Sequence, residues 1–183
     1  MATADRRTLL WVFAINAGFF IAESIAGWLA HSMGLVADGL DMLADAFVYG
    51  LSLAAIGKTL ERKRNVARLS GYLQFGLAML GFAEVVRRVL LPADAPAPFT
   101  MALVSAFALA GNLTCLYLLR RSKDGEAHMQ ASWIFTSNDA KANVGVMLAA
   151  GLVALTGTSW PDLVIGVVVF VLVARGAWRI LRL

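Results

Sequence analysis

The chain of 183 residues is 60% hydrophobic and only 15% charged, with a mean hydropathy of +0.72. Ordinary soluble domains carry about 25% charged residues, so this composition excludes an aqueous globular protein and predicts an all-α integral membrane protein. One cysteine, Cys115, excludes an internal disulfide and a metal site built from several thiolates.

At about 20 apolar residues per crossing, the length accommodates six transmembrane helices with short loops. The expected organisation is a single transmembrane domain over 1–183, with no cytoplasmic C-terminal domain. The first predicted span, residues 9–30, follows a short polar segment and is too long for the core of a signal peptide. It carries Asn16 and Glu23 seven residues apart, nearly on one face. A turn at His31, Ser32 and Gly34 leads into the second span, 35–56. Residues 58–68, rich in Lys and Arg, read as a charged loop. The third span, 69–90, contains Glu84, Arg87 and Arg88, whose spacing of three and four residues predicts an ion pair within the helix. A proline-broken loop over 91–98 follows. The fourth span covers 99–119, and His128 lies in the polar loop after it, where a solvated histidine is expected. The fifth span, 130–155, holds Asn138, Asp139, Lys141 and Asn143. Pro161 and Asp162, a favoured helix-start pair, open the sixth span, 161–183.

Positively charged residues near helix ends stay on the cytoplasmic side. In this layout 13 of the 16 Lys and Arg residues fall on one side, the exceptions being Arg87, Arg88 and Lys141. Both termini are therefore expected in the cytoplasm. The net charge of +4 is a topology signal and not the footprint of a nucleic-acid partner.

Besides Asp162 at the start of the sixth span, six of the 12 acidic residues fall inside the predicted spans: Glu23, Asp38, Asp41, Asp45, Glu84 and Asp139. An ionised Asp at mid-bilayer costs about 2.5–3.5 kcal/mol on insertion scales, so an uncompensated acid there needs an explanation. At about 100° per residue, Asp38, Asp41 and Asp45 share an arc of about 60° on the second helix. Two carboxylates one turn apart repel each other, and more strongly in a low dielectric. Either one of Asp41 and Asp45 is protonated or a cation bridges them. Asp38, one turn nearer the outer side, reads equally as a ligand, a relay or a group behind the ligands. On the fifth helix Asn143 follows Asp139 by one turn, Phe135 precedes it by one turn, and Asn138 adjoins it. The Asn residues are as readily interhelical glue as ligands. Lys141 points about 200° away from Asp139, to pair with another helix or to reach the interface. Glu23 is a candidate for a proton path.

The segment ADGLDMLADA, residues 37–46, resembles the second transmembrane helix of the cation diffusion facilitator family of divalent-metal transporters. NAGFFIAESIAGWLAHSMGLVAD resembles that family's first helix and turn, and GFAEVVRRVL the end of its third helix. The run from SNDAKAN through WPD to GAWRIL resembles its fifth and sixth helices. In register these matches cover essentially the whole chain.

The resemblance implies a transport site between the second and fifth helices, with Asp41 and Asp45 matching the family's His/Asp-xxx-Asp pair and Asp139 matching the Asp of the fifth helix. Phe135 stands where the family usually has a His or Asp four residues before it, and it cannot bind a metal. Candidates for a fourth ligand are Asn138, Asn143, Asp38 or water. Oxygen donors without imidazole favour manganese or iron(II), and zinc stays open because carboxylates bind it too. The implied activity is efflux of a divalent metal against protons by alternating access, from the bacterial inner membrane, with no organic cofactor. The implied partners are the lipid bilayer, divalent metal ions, protons and a second copy held by transmembrane contacts. A non-transporting membrane partner or metal sensor of the same fold is the alternative. An intramembrane enzyme is not expected, because neither HExxH nor a Ser/His pair at catalytic spacing is present.

Overall fold

The computed structural model describes residues 2–29, 33–91, 97–121 and 124–183, and within these it leaves undescribed the side chains of residues 2–5, 23–24, 26–29, 33–40 and 84. The predicted turn residues His31 and Ser32 and the loop residues 92–96 lie outside the described residues, as do the side chains of Glu23, Asp38 and Glu84. Six helices follow in order: α1 (Ala2–Leu29), α2 (Met33–Ala55), α3 (Leu60–Leu90), α4 (Pro98–Leu119), α5 (Ala127–Thr156) and α6 (Trp160–Leu181). No strand occurs among the described residues.

The ends of these helices follow local chemistry. Thr59 caps α3 by accepting from the Arg62 N–H at 3.3 Å, and Glu61 sits in the first turn, where a negative charge complements the helix dipole. The basic stretch expected to be a loop is therefore mostly the first turns of α3. Gly34, expected in a turn, is already inside α2. Pro98 and Pro161 occupy the first turns of α4 and α6, where their missing N–H is no loss. Gly157 ends α5 in the left-handed region at φ 65°, its N–H bound to the Val153 carbonyl.

Four helices among the described residues, α3 to α6, are long and apolar enough to cross a membrane. Large apolar side chains point outward along them and along α1, among them Trp11, Leu80, Leu155 and Trp160. In water so much exposed apolar surface would be a liability; against lipid it is the expected exterior.

Inside, the helices adhere through small residues and polar contacts, as expected where lipid removes the hydrophobic drive. The most extensive neighbours are α1 with α2, α4 with α5, and α6 with both α3 and α5. The α3–α6 pair is joined along its length. Phe82 stacks on Phe170 with centroids 4.5 Å apart, Arg88 binds Asp162 at 3.0 Å, and a Cβ on Gly166 would meet Val85 at 2.7 Å. Asp162 thus serves as an ion-pair partner as well as a first-turn acid. Between α1, α2, α4 and α5 a core of Leu9, Val12, Tyr49, Cys115, Leu119 and Met129 is fully enclosed. Asn16 is buried there, donating to the Val12 carbonyl and the Cys115 sulfur.

Candidate metal centre

The helix pair that carries the acids is pinned in antiparallel register by hydroxyl groups. Ser52 of α2 meets Ser132 of α5 at 2.9 Å and donates to the His128 carbonyl at 3.2 Å. One turn further along each helix, Tyr49 hydrogen-bonds Thr136. The next rung, one turn on again, brings the carboxyl groups of Asp45 of α2 and Asp139 of α5 close to one another. Two buried carboxyl groups this close repel one another when both are ionised, and a proton or a cation relieves that. Tyr49, one turn after Asp45 on α2, lies beside its carboxyl group.

Asp45 and Asp139 are buried, at 2% and 7% exposure, and Asp45 Oδ1 and Asp139 Oδ2 have no hydrogen-bond partner. Asp41, one turn before Asp45, is half-buried and close enough to interact electrostatically with both. Asp41 and Asp139 line one cavity of about 230 Å³, together with Gln74 of α3, Phe135 of α5 and apolar side chains of α3 and α6. No Lys, Arg or His is among the described residues that line it. Taking a carboxylate out of water without a partner costs several kcal/mol, so these acids call for protons or a diffusible cation. Among the described residues no three acidic, His or Cys side chains are grouped closely enough to hold a metal ion together; the arrangement is a close pair of acids with a third beside it.

The other sequence candidates divide. Asn138 is buried but turned from the cavity: its Nδ2 donates to Gln74 Oε1 at 3.3 Å, and it presses on Gly176 of α6. Asn143 is also buried, and neither Asn lines the cavity. Phe135 is enclosed, with 1% exposure. His128, expected in a solvated loop, is instead buried within the first turn of α5, because α5 begins three residues before the predicted start. Lys141 faces a groove between α5 and α6 that it shares with Arg175 and Arg179, and no acid lines that groove. Sequence reasoning missed Tyr49, Thr136 and Gln74. Tyr49 lies one turn after Asp45, so the same helical spacing that linked the Asp residues would have found it. Gln74 is an uncharged polar residue in an apolar run, a signal that a search for charges passes over.

Apolar helices around buried acids define a multi-pass membrane protein with a polar interior. Residues 9–182 match the cation efflux transmembrane domain, and the chain belongs to that family, the cation diffusion facilitators. The zinc transporter ZitB of Yersinia pestis is 28% identical over 193 residues, covering 98% of this chain and 61% of its own. ZitB of Escherichia coli strain K12 is 29% identical over 191 residues, covering 97% of this chain and 61% of its own. A cadmium, cobalt and zinc/H(+)-K(+) antiporter of Bacillus velezensis is 26% identical over 194 residues, covering 98% of this chain and 61% of its own. The chain thus spans about three fifths of the length of the curated relatives it matches.

Proposed function

We propose that this chain carries a divalent transition-metal cation out of the cytoplasm in exchange for protons, with Asp41, Asp45 and Asp139 as its ligands between α2 and α5. The observation that supports this most is the meeting of Asp45 and Asp139 across the hydroxyl seam, with one oxygen of each unpartnered. A cation entering there takes the place of protons on these acids and draws in Asp41. Metal ligands must be deprotonated, so binding releases protons and weakens as pH falls. The same acids then take up protons on the other side, which returns the site to its starting state.

Zinc is the first substrate to test, since relatives are named as transporters or antiporters of zinc, cadmium and cobalt. The oxygen-only donor set gives manganese and iron(II) a place in the same comparison. Six crossings with both termini in the cytoplasm, and a dimer held by membrane contacts, belong to the same proposal. The buried Cys115 gives cysteine labelling of introduced sites a clean background for testing the topology.

The second reading, a membrane partner or sensor that does not transport, draws on Phe135, which fills the wall of the cavity one turn from Asp139. Purified protein in liposomes separates the two. A zinc gradient is expected to drive proton movement in wild type, and Asp45→Asn in correctly inserted protein to stop it. Flux that survives in Asp45→Asn removes Asp45 from the mechanism, and no flux in wild type leaves the partner reading.

A further inference from the structure

Gln74 is 1% exposed, lies on α3, and lines the same cavity as Asp41 and Asp139. Its Oε1 accepts from Asn138 Nδ2, while its own Nε2 is buried with no hydrogen-bond partner. A buried N–H with nothing to bind is costly, and the two ends of a carboxamide exchange places by a half-turn that leaves its shape unchanged. With both amides turned, Gln74 Nε2 donates to Asn138 Oδ1, the α3–α5 bond is kept, and the Gln74 carbonyl oxygen takes the place of the orphaned nitrogen. An amide oxygen is a neutral, hard ligand that suits a divalent ion beside carboxylates.

Resting on the proposed site, we propose that Gln74 supplies the fourth oxygen donor to the transported cation, in place of the ligand that Phe135 cannot provide. The donor set then comes from three helices: Asp41 and Asp45 from α2, Asp139 from α5 and Gln74 from α3. Asn138 is the positioning residue that holds the Gln74 amide with its oxygen toward the acids. Gln74 tunes which metal is taken without adding charge, so the loaded site keeps the charge set by its carboxylates.

The test is zinc and manganese uptake by the full chain in liposomes, with equal inserted amounts verified. Gln74→Leu is expected to raise the KM for zinc by at least about tenfold, the scale for losing a group that binds or orients a metal ligand, and to change the zinc-to-manganese preference. Phe135→His added to Gln74→Leu restores a fourth donor one turn before Asp139, lowering the KM again and tilting preference toward zinc. Should Gln74→Leu fail to insert, Gln74→Met keeps the length of the side chain and removes the amide, with the same expected rise. An unchanged KM and metal preference in the inserted variant overturns the assignment. Asn138→Ala keeps the Gln74 oxygen but leaves the amide free to turn, so it is expected to shift the KM and the metal preference in the same direction as Gln74→Leu but by less. A shift larger than that of Gln74→Leu also overturns the assignment, because the effect would then belong to the lost α3–α5 bond. Asp139→Asn, run in parallel, tells the two failures apart. If it is inactive while Gln74→Leu behaves as wild type, only the Gln74 assignment falls. If it transports normally, the carboxylate site falls and this inference with it.

Discussion

The two sides of α5 carry opposite chemistry two residues apart. Toward α2 and α3, Asp139 enters a cavity walled by acids, an amide and apolar groups, without a basic residue among them. Toward α6, Lys141 joins Arg175 and Arg179 in an open groove without an acid. Had the helix put Lys141 beside Asp139, the protein would have neutralised its own carboxylates with a tethered ammonium. The separation teaches that burial does not select against charge as such. The acids gather at a small cavity with no base among its described lining, and the bases gather at a groove with no acid among its described lining.

The sharpest way to break this contrast is to remove the acid: Asp139→Asn is expected to drop metal flux to the background of empty vesicles. Next, a fixed cation can be placed among the acids. Phe135→Lys sets an ammonium in the cavity wall and is expected to lower zinc flux at least about tenfold at subsaturating metal, through attraction that holds the carboxylates for itself; unimpaired flux would show that the cavity charge is irrelevant. A smaller effect concerns packing alone. A Cβ on Gly176 would stand 1.7 Å from Asn138 Nδ2, so Gly176→Ala overpacks the α5–α6 contact. It is expected to cost about 1–3 kcal/mol, read as lowered thermal stability in detergent. Smallest of all, Lys141→Gln on the basic side should leave zinc flux at the wild-type level, and a large loss there would erase the distinction between the two sides.

Much of this arrangement was legible in the chain because charge in an apolar run is conspicuous. Asp41, Asp45 and Asp139 stood out by the cost of keeping them, and 100° per residue placed the first two on one face before any contact was known. What the helical wheel does not carry is the depth and rotation of one helix against another. Asn138 and Asn143 were as eligible as any neighbour of Asp139 until the bundle turned them from the cavity, and Gln74 became eligible only when α3 was seen to close the third side. The helix starts were misjudged for a related reason. Basic residues at the head of α3 read as a loop, although Thr59 and Glu61 were already a helix-start signal. His128 read as solvated because the first turn of α5 was taken to be outside it.

The glycines at 166 and 176 carry a consequence for how α6 is seated. At both positions α6 lies so near its neighbours that even one methyl would overlap them, Val85 on the α3 side and Asn138 on the α5 side. Glycine is what permits so close an approach at each contact. A larger residue at either glycine has to be met by a shift of α6 against that neighbour, so these two positions set how closely α6 seats on α3 and on α5.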